Sequence, residues 1–172
     1  MFINYIKNFY VKKTFKKNLQ NVKSEEVSNV VKTVGLLIDT SYFSKKEALI
    51  NDLIANGFSN ENIKVIVYTD KSKSNNANSQ LAFSAKHLNW KGEITEPKVN
   101  DYLNEEFDFL ISYYDVEKTI LMLFTIKSKA KFKVGFASID KRLNHLIIDT
   151  KAENYKVFTD ELFRYLKLLN KI

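Results

Sequence analysis

Short, nearly continuous apolar runs constrain this chain most, because such runs are typical of strands buried on both faces of a parallel sheet. They span Thr33–Asp39, Ile63–Tyr68 and Phe107–Tyr114. Between the first two, the apolar residues of Ser44–Asn56 recur at helical spacing, and Gly57 is a stop signal. Ser44 and Glu47 have the spacing of a capping box. A strand, a helix and a strand within about 35 residues predict a right-handed βαβ unit.

The rest of the chain continues the alternation of strand and helix patterns. Further strands are predicted within Leu81–Trp90, as a short edge strand, and at Phe132–Phe136 and Leu146–Ile148. Helices are predicted at Pro97–Glu105 and Asn154–Leu169, and Lys118–Ile126 is predicted to be an apolar helix or a crossover. Gly135 lies inside a strand pattern, which indicates close approach of another group to its backbone. We therefore expect a single three-layer α/β domain over residues 33–172, with a mostly parallel sheet of five or six strands, Rossmann-like or flavodoxin-like.

The N-terminal segment, residues 1–24, contains six lysines and no acidic residue. Apolar residues recur at roughly helical spacing between the lysines, which predicts a basic amphipathic helix or arm over this segment, joined to the domain by the linker Ser24–Lys32. Such a helix can pack on its own domain, lie on an anionic membrane or bind a phosphate backbone. The sequence leaves these three possibilities open.

The net charge of +7 is unevenly placed. A second basic cluster, Lys127–His145, has five lysines and one arginine against one aspartate. An AT-rich genome would enrich lysine without any selection for binding, but it would not exclude acids from the N-terminal segment. The segregation therefore indicates an anionic polymer or surface as the partner. The residues expected to contact phosphates are Lys7, Lys12, Lys13, Lys16, Lys17, Lys131, Lys133, Lys141 and Arg142.

The sequence carries no signal for catalysis, for a cofactor or for a membrane span. The chain has no cysteine, no Walker A motif, no GxSxG motif and no glycine in the segment after Thr33–Asp39. We therefore expect no disulfide, no enzyme activity, no cofactor and no metal. No apolar run approaches the ~20 residues of a membrane span, and the N-terminus lacks the pattern of a signal peptide. We expect a cytoplasmic protein without an integral membrane span.

Acidic residues follow three of the predicted strands. Asp39, Asp70 and Asp115 would lie at the carboxyl edge of a parallel sheet, where ligands of α/β proteins bind. They could gather into a cation site and support a small enzyme. Acidic residues at strand ends are also ordinary loop and cap residues, so this hypothesis stays an alternative.

One segment resembles a known enzyme fold. Phe107-Asp108, Leu110-Ile111, Ala130-Lys131 and Val134-Gly135-Phe136 match motifs of the N-terminal Rossmann half of heptosyltransferase-type glycosyltransferases. The resemblance covers under a quarter of the chain. Those enzymes bind a nucleotide sugar with a second Rossmann domain, for which we expect no room here. The resemblance therefore implies shared ancestry of the fold without the activity.

The whole chain also resembles an uncharacterised family of small lysine-rich proteins of flavobacteria and their relatives. The motifs are FINYIKNFYVKK, KTVGLLID, DFLISYYD, KFKVGF, SIDKRLNHLIID and ENYKVF. This resemblance implies an α/β fold and a lineage, but no activity.

The charge pattern favours a non-enzymatic protein that associates with RNA, such as a lineage-specific accessory ribosomal protein that binds ribosomal RNA through basic patches. The alternative is a degenerate Rossmann-like module that docks on a protein partner through its N-terminal helix. A small enzyme using the acids at the strand ends and a peripheral membrane protein are further hypotheses.

Overall fold

The computed structural model describes residues 30–70 and 81–172, and these contain one six-stranded sheet. The predicted basic helix or arm of residues 1–24 lies outside the described residues. The strands are β1 Val34–Asp39, β2 Ile63–Tyr68, β3 Leu81–Phe83, β4 Phe109–Tyr113, β5 Phe132–Phe136 and β6 Leu146–Ile148. The predictions for β2, β5 and β6 match the strand bounds, and those for β1 and β4 extend one or two residues beyond them.

All neighbouring strands are parallel, in the order β3-β2-β1-β4-β5-β6. This is the Rossmann order and not the flavodoxin order, so the structure decides between the two predicted arrangements. β3 is an edge strand, as expected. The strands that follow β1 are added first on one side of it, as β2 and β3, and then on the other side, as β4, β5 and β6. Val34 of β1 is therefore paired with both Ile63 and Phe109. The carboxyl edge at this switch point is where a ligand would bind in such a sheet.

Within the described residues there are four α-helices: α1 Lys46–Ala55, α2 Pro97–Asn104 and α3 Thr119–Lys127 lie between strands, and α4 Tyr155–Leu168 follows β6. Pro97 starts α2, as predicted, and Gly57 ends the α1 region with a positive φ of 127°. The predicted capping box of α1 is wrong. The N-cap residue is Lys45, which makes no side-chain cap hydrogen bond. Ser44 lies one residue before the capping position, so it does not occupy the site that a capping hydroxyl requires.

The helices cover both faces of the sheet and make three layers. On one face, α4 packs through Phe158 against Tyr113 of β4, with ring centroids 5.0 Å apart. On the other face, Phe124 of α3 lies 5.7 Å from Tyr102 of α2 and stacks 5.3 Å from Phe83 of β3. Because both faces are covered, every residue of β1 and β4 is buried. This explains why their sequences are continuous apolar runs instead of alternating ones.

Gly135 in β5 is approached closely by another residue, as its place in the sequence indicated. A Cβ at this position would meet the side-chain amide of Asn144 at distances that real Cβ atoms do not reach. Asn144 is buried, and its Oδ1 accepts no hydrogen bond within the described residues. The glycine therefore makes room for the polar residue that precedes β6.

The carboxylate of Asp108 connects three strands at the amino edge of the sheet. Its Oδ2 accepts hydrogen bonds from the backbone N–H groups of Lys32 and Thr33, both at 3.1 Å, and its Oδ1 accepts from Lys131 Nζ at 2.9 Å. One carboxylate thus connects the starts of β1, β4 and β5. Partial burial alone would raise the pKa of Asp108, but Lys131 and the two backbone donors outweigh burial and lower this pKa to about 2.

Replacing Gly135→Ala is expected to lower the free energy of unfolding by about 1 to 3 kcal/mol, because the new methyl group overlaps Asn144. The double variant Gly135→Ala, Asn144→Ala should lose less than the sum of the two single variants, because removing the amide relieves the overlap. Urea denaturation of the four proteins measures this coupling. Strictly additive losses would contradict the close approach.

Replacing Asp108→Asn is expected to cost about 1 to 2 kcal/mol of stability at neutral pH. The folded-state pKa of Asp108 lies below its unfolded value, so its ionised form stabilises the fold above about pH 4. This stabilisation is lost as the pH falls from about 4 through about 2. The stability difference between wild type and variant should therefore close over that range in urea denaturation, whereas a difference independent of pH would contradict the assignment. The exposed Asp101→Asn is the matched control, with no expected effect.

Candidate functional site

The carboxyl edge at the switch point is filled by Lys118, the N-cap residue of α3. Its Nζ lies 2.8 Å from Asp39 Oδ2 and 2.7 Å from Asp70 Oδ2. Asp39 ends β1 and is 5% exposed, whereas the side chain of Asp70, two residues after β2, is 47% exposed. The ammonium group therefore bridges the ends of two neighbouring strands from the helix that follows β4.

The bridge is surrounded by aromatic rings and further hydrogen bonds. Lys118 Nζ lies 4.7 Å from the ring centroids of both Tyr42 and Tyr68, which stabilises its charge. The Tyr68 hydroxyl donates to Asp70 Oδ1 at 2.7 Å. The Ser41 N–H donates to Asp39 Oδ1 at 2.8 Å, and the Ser41 hydroxyl accepts from the Asp70 N–H at 3.0 Å. Each oxygen of both carboxylates thus has a partner.

The pKa shifts follow from these contacts. Partial burial opposes the charge of Lys118, but its hydrogen bonds to Asp39 and Asp70 outweigh burial and raise the pKa of Lys118. The hydrogen bond from Lys118, helped by that from Tyr68, lowers the pKa of Asp70. Burial and the neighbouring Asp70 raise the pKa of Tyr68. These pKa shifts keep Lys118 and Asp70 charged and Tyr68 neutral at neutral pH.

The alternative hypothesis places Asp39, Asp70 and Asp115 together at this edge. Asp39 and Asp70 come together, but their shared cation is the lysine of the same chain. Asp115 Oδ2 instead accepts from the Ala152 N–H at 2.9 Å, which ties the loop after β4 to the loop after β6. Among residues 30–70 and 81–172, no cluster of His, Cys, Asp and Glu has the arrangement of a metal site. In chemical terms, this edge is a closed ion-pair network.

Both histidines act as backbone acceptors. His87 Nδ1 accepts from the Ser84 N–H at 3.2 Å, and His145 Nδ1 accepts from the Lys133 N–H at 3.0 Å. Each therefore shapes a local turn or strand end. Within the described residues, neither histidine is hydrogen-bonded to Lys118, Asp39 or Asp70.

The predicted phosphate-contacting residues fall into two groups. Lys7, Lys12, Lys13, Lys16 and Lys17 lie outside the described residues. In the second cluster, Lys131 is paired with Asp108, and Arg142 donates to Asp140 through both Nε and Nη2. Lys141 beside it is exposed. Lys131 and Arg142 thus already have carboxylate partners, which reduces the field that an approaching phosphate would meet.

Lys133 is buried, which corrects its prediction as a surface phosphate contact. It is 8% exposed, and its Nζ donates to the backbone carbonyl of Thr125 at 2.7 Å, near the end of α3. Burial lowers the pKa of Lys133 to about 8. The positive charge of the cluster Lys127–His145 predicted Lys133 as a phosphate contact, but a strand with helices on both sides has no solvated face in its middle. Lys133 instead satisfies carbonyl groups at the helix end.

Sequence reasoning missed Lys118. It follows Asp70 by 48 positions and Asp39 by still more, and no local motif links the three. The available signal was the predicted topology, which places the start of the helix after β4 beside the carboxyl ends of β1 and β2. An unassigned lysine at that helix start was the candidate partner for the two acids.

Replacing Lys118→Met is expected to lower the free energy of unfolding by about 2 to 4 kcal/mol, because it leaves Asp39 buried without its cation. Adding Asp39→Asn to that variant should recover at least about 1 kcal/mol by removing the unpaired charge. The exposed Lys45→Met serves as the matched control and should change stability by less than about 0.5 kcal/mol. Chemical denaturation of the wild type and these variants measures the differences. Equal stability of the Lys118 variant and the control would contradict the bridge.

Comparison with known proteins places the chain in a family. Within the described chain, no helix has the length and apolar character needed to cross a membrane. No curated protein and no solved structure matches the sequence. A family model for a family of unknown function, DUF6913, matches residues 7–169. The match includes most of the lysine-rich N-terminal segment together with the whole sheet. The chain therefore belongs to this family of unknown function.

Proposed function

We propose that the protein associates with RNA without catalysing a reaction, and that its N-terminal segment, residues 1–24, supplies the main phosphate contacts. The proposal rests on one observation, which is the separation of charge along the chain. The described residues hold 19 basic and 18 acidic side chains and are nearly neutral. The N-terminal segment holds six lysines and no acid. Almost all of the net positive charge therefore lies outside the described α/β sheet and its helices.

The ion pairs at the two edges of the sheet also favour the N-terminal segment as the source of the phosphate contacts. At the carboxyl edge, the ammonium of Lys118 is engaged by two carboxylates, so it is not positioned to bind a phosphate or a nucleotide. At the amino edge, Lys131 is engaged by Asp108. A phosphate backbone would compete with these internal partners for each cation. Lysines in an acid-free segment have no such competitors within that segment.

Binding of this kind is mostly electrostatic. Each lysine–phosphate contact releases counterions, so the affinity falls as salt rises, by a slope of about 0.7 per contact for a single strand. Such contacts give affinity with little sequence preference. Tyr5, Tyr10 and Phe15 lie among the lysines and are suited to stack on unpaired bases. This chemistry suits a protein that recognises structured RNA with unpaired regions.

The finer form of the proposal is an accessory ribosomal protein of flavobacteria and their relatives, which acts in the cytoplasm and binds ribosomal RNA. Two observations support this finer form: the separation of charge along the chain, and the resemblance of its sequence motifs to proteins of that lineage. Sedimentation of the tagged protein from its native lysate addresses this form. Migration with ribosomal particles at low salt, abolished by a high-salt wash, is the expected result, and migration only at the top of the gradient would contradict it.

Reversing the charge of Lys12, Lys13, Lys16 and Lys17 to Glu is expected to abolish most RNA affinity. The dependence of affinity on salt should become weaker. The magnitude of the slope of log affinity against log salt should decrease by about 3, at about 0.7 for each phosphate interaction that is removed. The measurement is fluorescence anisotropy of a labelled single-stranded RNA, titrated with the full chain at several salt concentrations.

The matched control reverses four exposed lysines of the described domain, Lys45, Lys98, Lys151 and Lys156, and gives the same net charge. This control should keep most of the affinity and its salt slope. Equal loss in both variants would mean that only total charge matters and would contradict a role specific to the N-terminal segment. No binding by the wild-type protein, with binding to a protein partner abolished by Ile3→Ala, Ile6→Ala and Phe9→Ala, would favour the docking module instead.

A further inference from the structure

Helix α3 is apolar around its whole circumference. Its sequence, TILMLFTIK, contains no carboxylate, and its one charged residue is the lysine at the last position. A helix in the outer layer of a domain normally carries polar residues on the side that faces away from the core. In α3, none of the residues is exposed. This pattern is typical of a helix that packs against apolar partners on all sides.

Hydrogen bonds identify the side of α3 that faces the sheet. Thr125 Oγ1 lies 3.1 Å from Ser112 Oγ of β4 and 2.8 Å from the hydroxyl of Tyr114, which follows β4. Leu123 is two residues from Thr125, so it lies about 200° around the helix and points away from the sheet. Ile120 lies on the same outward side, one turn before Leu123. Leu123 is 0% exposed and Ile120 is 3% exposed, so the outward side of α3 is an apolar surface shielded from water.

The contacts of α3 with its described neighbours lie at its flanks and its end. On one flank, the ring of Phe124 packs against Tyr102 of α2. On the other flank, α3 contacts the short turn Lys141–Leu143, which lies between β5 and β6. At the end of α3, Lys127 Nζ donates to the Gly92 carbonyl at 3.2 Å. The two outward residues lie nearer the middle of the helix, where a further apolar segment would pack.

Two segments lie outside the described residues, namely 1–29 and 71–80. The segment 71–80 contains a single apolar residue, Ala77, so it is unsuited to cover an apolar helix. Near the N-terminus, apolar residues recur at spacings of three and four, as Phe2, Ile3, Ile6, Phe9 and Tyr10. Residues 2–10 and α3 are equally long, at about 13 Å of helix each. The N-terminal segment therefore matches the outward side of α3 in both chemistry and length.

The chain before β1 can reach this surface. Val30 shortly precedes β1, so the chain enters the domain at the amino edge of the sheet. Helix α3 ends at the same edge, because β5 follows it and is parallel to β4. The starts of β1 and β5 are separated only by β4, which makes them about 10 Å apart. Residues 11–29 span about 28 Å even as a continuous helix, which is enough to place residues 2–10 over α3.

We propose that residues 2–10 pack as a helix, through their apolar side, across the outward side of α3. That surface offers apolar contacts and no charge except at its end, so it suits an amphipathic helix better than a phosphate backbone. The lysines that follow residues 2–10 are then held beside the domain, as Lys12, Lys13, Lys16 and Lys17. The inference goes beyond the proposed function, because packing on α3 does not depend on whether these lysines bind RNA.

The chain has no cysteine, so introduced cysteines carry nitroxide labels at chosen positions only. In the full-length protein, Lys7→Cys is paired with Val116→Cys or with Lys129→Cys, two exposed positions just beyond the ends of α3. Double electron–electron resonance should give narrow distributions with distances of at most about 25 Å for both pairs, because packed helices lie about 8 to 10 Å apart. The control pair Lys7→Cys, Leu168→Cys places the second label at the end of α4 and should give a longer distance.

Two matched double variants test whether the apolar side makes the contact. Ile6→Asp with Phe9→Asp places two carboxylates in the interface and should broaden the distances to Val116 and Lys129, because an apolar surface does not accommodate unpaired charges. Asn4→Asp with Asn8→Asp adds the same charge on the opposite side of the same helix and should leave the distances unchanged. Circular dichroism confirms that each variant is folded.

The outcomes separate this inference from the proposed function. Broad distributions, or a distance to Leu168 shorter than those to Val116 and Lys129, would overturn packing on α3. RNA binding measured by anisotropy would then stand on its own. Short, narrow distances without RNA binding would keep the packing and overturn the proposed function. Short distances that appear only in mixtures of singly labelled chains would assign this surface to the segment of a second copy and overturn packing within one chain.

Discussion

A parallel sheet covered by helices on both faces has to satisfy its polar groups at its two edges, and this constraint organises the molecule. At the amino edge, Asp108 connects the first residues of three strands, because it accepts hydrogen bonds from Lys32, Thr33 and Lys131. At the carboxyl edge, Lys118 joins Asp39 and Asp70. The strands between the two edges are almost wholly apolar, so they supply burial but little that would fix how their ends meet. The two charged networks supply that information.

The carboxyl-edge network also bears on function. In α/β folds of this order, ligands bind beside the switch point, where side chains and backbone groups are open to them. Here, the same place is occupied by an ammonium group with two carboxylates and two tyrosine rings around it. A ligand would have to displace a network whose members already satisfy one another. Under the proposed function, the sheet and its helices are the support, and the positive charge concentrated in the N-terminal segment is what would bind RNA.

The sequence predicted local structure well because local structure depends on nearby residues. The bounds of Ile63–Tyr68 and Phe132–Phe136 and the close approach at Gly135 were all predictable from apolar runs and glycine placement. What depended on distant residues was not predictable in this way. Lys118 is far from Asp39 and Asp70 in the chain. The sequence analysis therefore identified the two acidic residues but not the lysine that pairs with them.

The capping box and the surface role of Lys133 were wrong for related reasons. The capping box rested on the spacing of Ser44 and Glu47, and the role of Lys133 rested on the charge of its cluster. Helix α1 starts one residue later than Ser44 would need for capping, and Lys133 lies on a strand face that a helix covers. Neither the exact helix start nor the covering of a strand face can be obtained from spacing.

Mapping RNA crosslinks on the full-length protein tests the proposed RNA association most directly, since it shows where the chain meets RNA. Ultraviolet crosslinking to single-stranded RNA, followed by mass spectrometry of the modified peptides, locates the contacts by residue. We predict crosslinks within residues 1–24. Crosslinks concentrated at the carboxyl edge, around Asp39 and Lys118, would contradict this prediction, because RNA would then bind at the switch point and not through the segregated lysines.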